Sequence, residues 1–248
     1  MKLPAAIAFV TEGLPMVQVT VGRSDANVWR VGDQFYLKVA SQGDELAAEM
    51  ERLDWLAGRA PVPKVIAFER GVDATFLLTS ALKGRAAHEA ASPGECARAV
   101  AAGLRRLHRL DIAACPFDAR LAVTIERARA NALGGLVDES DFDASRAGRS
   151  ALDLLADVEA TRPSDEDLVV THGDCCLPNV ILSADGEVAG FVDLGRAGVA
   201  DRYQDLALAA RSIAYNFGDA CVATFFAAYG IDPDPRRIAF YQLLDEFF

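Results

Sequence analysis

The spacing of apolar residues changes partway along this chain, and that change limits the folds open to it. From Met16 to Val39 apolar and polar residues alternate: Val17, Val19 and Val21, a Gly22-Arg23-Ser24-Asp25 turn, Val28-Trp29-Arg30-Val31, a turn at Gly32-Asp33, then Phe35-Tyr36-Leu37-Lys38-Val39. Period-two runs joined by short turns predict a small antiparallel sheet. Between Ser41 and Gly58 the period becomes helical, with Leu46, Met50, Leu53 and Leu56 on one face among Glu45, Glu49 and Glu51, which predicts one helix lying on the sheet. Pro61-Val62-Pro63 breaks the chain, and Lys64 to Phe68 and Thr75 to Thr79 read as two further strands ahead of a connector, Ser80-Ala81-Leu82-Lys83-Gly84. Beyond it the residues turn to alanine, leucine and arginine, with helical spacing over about 93–110, 121–132 and 151–160. One exception, 167–191, carries short apolar runs around a polar loop and a Ala184-Asp185-Gly186-Glu187 turn. The expectation is an α+β chain of two lobes: residues 1–79 a small antiparallel-sheet lobe with one main helix, 80–84 a hinge, and 85–248 a larger, mostly helical lobe.

With 25 basic and 36 acidic residues the chain carries a formal charge of −11, which argues against nucleic acid and for a cationic or small partner. No apolar run reaches the roughly 18–20 residues that span a bilayer, and Met1-Lys2-Leu3-Pro4 lacks the layout of a secretory signal. A cytoplasmic location without membrane attachment is expected. The five cysteines are an odd number without zinc-ligand spacing, Cys175 and Cys176 being adjacent, so reduced thiols are expected.

The segment that carries chemistry is His172-Gly173-Asp174-Cys175-Cys176-Leu177-Pro178-Asn179, followed after one hairpin by Asp193-Leu194-Gly195-Arg196. Phosphoryl transfer from a nucleotide needs a carboxylate to receive the acceptor hydroxyl's proton and oxygen ligands to hold magnesium against the phosphates. Asp174, Asn179 and Asp193 supply these. The Asp-x4-Asn interval and the later Asp-Leu-Gly match the order of a protein-kinase catalytic loop and its Asp-Phe-Gly. Taken singly, each motif is ordinary turn chemistry; their order, joined to a lysine upstream, favours function. That lysine is Lys38, one of only four in the chain. It sits in an apolar strand where a lone ammonium is costly to bury, so Glu49 on the next helix is its expected partner.

Over nearly its whole length the chain resembles the aminoglycoside 3′-phosphotransferases, the kanamycin and neomycin kinases. The resemblance rests on Phe35-Tyr36-Leu37-Lys38, Trp55-Leu56, Val62-Pro63-Lys64-Val65, Leu107-His108 with Asp111, Cys115-Pro116-Phe117, Thr171 to Asn179, Gly190 to Arg196, Ala200 to Asp205, and the terminal Leu243-Leu244-Asp245-Glu246-Phe247-Phe248. It implies a protein-kinase-like two-lobe fold and transfer of the γ-phosphoryl group of ATP, or of GTP in its place, to an aminoglycoside 3′-hydroxyl with Mg2+, giving resistance. In such an enzyme Asp174 is the catalytic aspartate, Asn179 and Asp193 hold the metal, and Lys38 with Glu49 meets the α- and β-phosphates. Ser24 meets the β-phosphate, Tyr36 stacks on adenine, and the backbone from Ser80 to Leu82 meets its edge. Arg196 and Arg211 serve the active site and acceptor pocket. Asp141, Asp143, Asp245, Glu246 and the Phe248 carboxylate line the drug site, and Asp245 and Glu246, at a helix C-terminus beside a chain-terminal carboxylate, are tolerated best if a cation neutralises them. A monomer or homodimer is expected.

Two positions depart from the family's pattern. Tyr215 and Ala144 stand where relatives commonly carry acids, which predicts weaker or narrower drug binding. His108 and His172 are expected to shape the core and the catalytic loop instead of moving protons, and the adjacent thiols in that loop are expected to make the enzyme sensitive to oxidation or alkylation. Two alternatives stay open: a kinase of the same fold acting on a macrolide, choline or an amino sugar, and a catalytically silent nucleotide- or drug-binding protein.

Overall fold

The computed structural model describes residues 3–19, 27–41 and 45–248. The turn at Gly22 to Asp25, Ser24 included, lies outside the described residues. The chain opens with a short helix, α1 (Ala5–Val10), which the alternation argument passes over because one buried residue, Ile7, makes no period. Three strands follow, β1 (Met16–Val19), β2 (Asn27–Val31) and β3 (Phe35–Ser41), then α2 (Glu45–Leu56), β4 (Val65–Arg70) and β5 (Ala74–Ser80). The five strands form one antiparallel sheet in the order β1-β2-β3-β5-β4.

Strand alternation gives this sheet two faces. Leu37, Val39, Phe76, Leu78 and Val31 close on Ile7 of α1 in one apolar cluster. Leu77 points the other way and joins Leu46, Leu53 and Leu56 of α2 in a much larger cluster that runs on through the helical part of the chain. Lys38 lies directly opposite Leu77, and Tyr36 opposite Thr79. Cross-strand partners share a face, so Lys38 and Tyr36 stand on the side of the sheet that carries α2.

The remainder runs β6 (Arg85–Ala86), α3 (Pro93–Leu107), α4 (Leu121–Gly134), α5 (Ala151–Thr161), β7 (Leu168–Thr171), β8 (Val180–Leu182), β9 (Val188–Phe191), β10 (Gly198–Asp201), α6 (Tyr203–Phe217), α7 (Asp219–Tyr229) and α8 (Pro235–Leu244). The α+β expectation holds, and α3, α4 and α5 stand where helical spacing puts them. The last three helices do not show in that spacing. Every residue from Tyr203 to Ala210 of α6 is buried, and α7 is apolar on most sides, so neither displays the one-sided stripe that marks a surface helix. The start of α8 was legible from local chemistry: Asp234 accepts from the Arg236 and Arg237 N–H groups, with Pro235 at the first helical position.

Two small sheets finish the scaffold, β7 with β10 and β6-β8-β9. Thr171 pairs with Gly198, which brings the segments after β7 and before β10 side by side. Val180 pairs with Phe191, which does the same for Asn179 and Val192. The acidic stretch 138–143 is irregular. It consists of a 3-10 turn at Glu139–Asp141, capped by Asp138, leading into a second at Ala144–Arg146, capped by Asp143. Among the described residues no helix is long and apolar enough to cross a membrane.

Candidate active site

Lys38 reaches across from β3 to α2. Its Nζ lies 2.8 Å from both carboxylate oxygens of Glu49 and 3.1 Å from Oδ1 of Asp193. Burial alone would lower the lysine's pKa, but Glu49 and Asp193 together carry it above the ordinary value, so the ammonium stays charged. The pair expected from the sequence is therefore present, and Asp193 joins it. One turn further along α2, Arg52 is buried as well. Its Nε donates to the Ala197 carbonyl at 2.7 Å, its Nη1 to the Ala48 carbonyl at 2.9 Å, and its guanidinium sits 4.6 Å over the Phe117 ring. The sequence held a signal for Arg52 that went unread: an arginine three residues beyond Glu49, on the face that Leu53 and Leu56 share.

The loop after β7 is held from below by a single carboxylate. Asp205, fully buried at the start of α6, accepts the His172 N–H on Oδ2 at 2.7 Å and the Gly173 N–H on Oδ1 at 2.8 Å. Oδ2 also lies 2.9 Å from His108 Nε2, whose Nδ1 meets the Tyr229 hydroxyl at 2.7 Å. Burial pushes the Asp205 carboxyl up, yet the hydrogen bond and charge of His108 and the loop's backbone donors bring it below the usual carboxylate range. Gly173 has φ +89°, and a methyl group there would overlap the Arg196 carbonyl; the crossing of the two segments requires glycine. His172 Nδ1 accepts the Asp174 N–H at 3.2 Å, so the ring hydrogen is on Nε2, which donates to the Val192 carbonyl at 2.9 Å. Both ring nitrogens are committed to the backbone, as expected of a histidine that shapes the loop.

Asp174 faces two donors. Asn179 Nδ2 donates to its carbonyl at 3.0 Å and to Oδ2 at 3.1 Å, while Arg196 Nη2 lies 3.3 Å from Oδ1. The Val192 N–H donates to the Asn179 backbone carbonyl at 2.9 Å, which sets Asp193 beside that asparagine. Asp193 has φ +62°, a left-handed conformation that aspartate tolerates better than most residues. Burial raises the Asp174 carboxyl; Arg196 opposes this and Asp245 adds to it, with the balance above the usual range. Burial also works against the ionised form of Asp193, but Lys38 holds that carboxyl below it. Two carboxylates of one site are thus pushed apart, one kept ionised and the other made a better proton acceptor, the arrangement acid–base chemistry uses.

Asp193 and Asn179 suit a hard cation. The amide nitrogen of Asn179 is spent on Asp174, leaving its side-chain oxygen as an acceptor next to the Asp193 carboxylate, and magnesium prefers such oxygens in small number with water completing the shell. Among the described residues no group of three or more histidine, cysteine, aspartate or glutamate side chains is placed to hold a metal ion.

The chain end packs against this centre. Arg196 Nη1 and Nη2 lie 3.1 Å from Asp245 Oδ1, and Arg211 Nη2 is bonded to Asp245 Oδ2. Arg146 Nη1 pairs with Glu246 Oε1 at 2.6 Å, and the Asp143 N–H donates to Glu246 Oε2 at 3.2 Å. Asn131 Nδ2 holds the Phe247 carbonyl at 2.8 Å, and Arg196 stands 5.4 Å over the Phe248 ring. The cation expected to neutralise Asp245 and Glu246 is supplied from within the chain, by its own arginines. Asp143 is occupied in part by Ser145, whose Oγ and N–H hold its carboxyl below the usual range. Asp141 lies exposed at the end of the preceding turn.

On the other side of the sheet's edge, Ser80 is tied into the scaffold: its N–H donates to the Lys64 carbonyl and its Oγ accepts the Lys64 N–H, both at 2.9 Å, while the Ala81 N–H donates to Gln34. Of the connector backbone expected to meet a base edge, these two donors are already used. Leu82 packs on Gly190, where a methyl group would lie 2.6 Å from Leu82 Cδ1. Tyr36 is half-buried on the α2 face.

Burial works against the reactive form of the loop thiols, which argues against the expected sensitivity to alkylation. Burial pushes Cys175 well above the ordinary thiol value and Cys176 up to about 12. The thiolate, the nucleophilic form, is disfavoured in both. Incubation with iodoacetamide at mildly alkaline pH should leave turnover intact and both residues unmodified by peptide mass mapping. Loss of activity in step with labelling of Cys176 would contradict the burial argument.

Residues 16–241 match the model of the phosphotransferase enzyme family. An aminoglycoside 3′-phosphotransferase of Streptomyces ribosidificus is 44% identical, the match covering 93% of this chain and 94% of that protein. Among solved structures, an aminoglycoside 3′-phosphotransferase of type VIII superposes with a TM-score of 0.88 at 41% identity, over 95% of this chain and 94% of that one. An aminoglycoside phosphotransferase of Streptomyces rimosus in complex with ADP and streptomycin gives 0.86 at 31% identity, over 98% and 96%.

Proposed function

This chain belongs to the phosphotransferase enzyme family, and on that premise we propose that it moves the γ-phosphoryl group of ATP to the 3′-hydroxyl of kanamycin-type aminoglycosides. The observation that carries the reading is a pair of charge sets that feel each other's charge, Glu49–Lys38–Asp193 on the side of the sheet and Asp174–Arg196–Asp245 on the side of the chain end. Such a pair can hold a polyphosphate at one end and a cationic sugar at the other, with a proton acceptor between them.

In this reading residues 1–79 and 85–248 are lobes joined by 80–84, with the nucleotide between them. Lys38, fixed by Glu49, binds the α- and β-phosphates, Ser24 the β-phosphate, Tyr36 and the connector the base. The Asn179 side-chain oxygen and the Asp193 carboxylate would hold Mg2+, which when bound neutralises charge on the phosphates. Asp174 accepts the proton of the attacking 3′-hydroxyl. Arg196, 3.3 Å from Asp174, keeps that carboxylate oriented and adds positive charge where the transferring group passes. Transfer in this reading is direct, with positioning and charge stabilisation doing the catalysis; among the described residues no side chain is arranged as an activated nucleophile.

ADP release measured with kanamycin and with an analogue lacking the 3′-hydroxyl tests the proposal. Turnover with the first and a rate at background with the second is expected. Equal rates would overturn the choice of hydroxyl, and turnover with streptomycin alone would move the chain to a different acceptor class.

A further inference from the structure

Given the acceptor site proposed above, we infer that Arg146 is a specificity-determining residue: it fills the Glu246 carboxylate with an internal cation and so turns the site toward aminoglycosides poor in ammonium groups. The inference rests on that reading of function and goes further into what the site accepts. A polycationic drug is recognised by carboxylates, and each is useful to it only in so far as it is not already satisfied. Here Asp245 is shared by Arg196 and Arg211, and Glu246 is held by Arg146. Three guanidinium groups thus stand against Asp245, Glu246 and Asp143 at this end of the site.

Of the three, Arg196 and Arg211 lie beside the reacting centre through Asp245. Arg146 does not. It comes from the 3-10 turn Ala144–Arg146, and its position is built in: its N–H donates to the Asp143 carbonyl at 2.7 Å, Asp143 caps the turn on Ser145, and the Asp143 N–H itself donates to the second oxygen of Glu246. The side chains are 16% and 6% exposed for Arg146 and Glu246. An incoming ammonium must therefore displace a fixed, largely desolvated guanidinium to reach Glu246, and gains only the difference between two cations. Two neighbouring positions act in the same direction, since neither Ala144 on the same turn nor Tyr215, one turn beyond Arg211 on α6 and 89% exposed, adds a carboxylate.

The test compares the full-length protein with Arg146→Gln and Arg146→Lys across aminoglycosides graded by their number of amino groups. Arg146→Gln should lower the KM of amine-rich acceptors about fivefold, with a smaller change for amine-poor ones. It should also steepen the rise of log KM with log salt by about one unit for the amine-rich set. Arg146→Lys should stay near the parent values, and the KM for ATP reports on intact folding in each. A higher acceptor KM in Arg146→Gln would show that the arginine merely holds Glu246 in place and would overturn the inference alone, as would an equal change for every acceptor. Absence of aminoglycoside turnover in the parent protein would overturn it together with the proposed function.

Discussion

Asp174→Asn is expected to lower kcat about a thousandfold while ATP affinity stays within about threefold, because general-base catalysis contributes about 10²–10⁴. The substitution keeps the shape of the side chain and an oxygen for Asn179 or Arg196, but the amide cannot take the proton of the attacking hydroxyl and no longer balances the guanidinium 3.3 Å away. The pH profile gives a second reading. Burial raises the Asp174 carboxyl above its ordinary value, and only the ionised form accepts a proton, so activity should fall as pH drops through that raised value. In the asparagine variant this acid limb should vanish from whatever turnover is left. More than about a tenth of the parent kcat, well outside that range, or an unchanged acid limb, would show that another group is the base.

Asp205→Ala should be the most damaging change to stability outside the apolar core. One carboxylate satisfies the His172 and Gly173 N–H groups and His108 Nε2, and removing it strands three buried donors. Breaking a buried charged network in this way costs about 3–5 kcal/mol, which in a chain of this size lowers Tm by about 10 °C. Asp205→Asn should recover only part of the loss, since its amide nitrogen must face a donor. The pH dependence has a definite sign. The folded carboxyl titrates below the unfolded one, so its contribution is fully present above the unfolded value of about 4 and is lost as pH falls through the folded value. Both variants should therefore flatten the decline of stability below about pH 4. Calorimetry at a few pH values decides the matter; a parent-like Tm in Asp205→Ala would mean that water or backbone rearrangement can replace the carboxylate.

How far the sequence reaches depends on whether a residue's job is local. Lys38 and Glu49 could be paired in advance because a strand and the next helix bring them to one face, and an ammonium in a strand otherwise written in apolar residues demands a partner. Asp174, Asn179 and Asp193 were legible because their spacing along one loop and one hairpin already fixes their order in space. Asp205 was not, although it was read as part of the match: its partners lie 97 residues away in His108 and 33 away in His172, and no periodicity carries such a link. The acidic chain end shows the reverse limit. Asp245 and Glu246 were correctly singled out as carboxylates in need of a cation, but Arg146, Arg196 and Arg211 come from three separate elements, and the choice between an internal and an external cation is made only by folding.

Helix α2 is latched to the rest of the molecule at three successive turns, through Glu49 to Lys38 and Asp193, through Arg52 to the Ala197 carbonyl, and through the Trp55 Nε1 that donates to the Ala114 carbonyl at 3.0 Å. Kinases that are switched on and off commonly separate the glutamate of this helix from its lysine in the resting state. Here the pair is closed, and swinging the helix away would break all three latches at once. Separating this glutamate from its lysine therefore carries the loss of two hydrogen bonds to backbone carbonyls as well, one at Ala197 and one at Ala114.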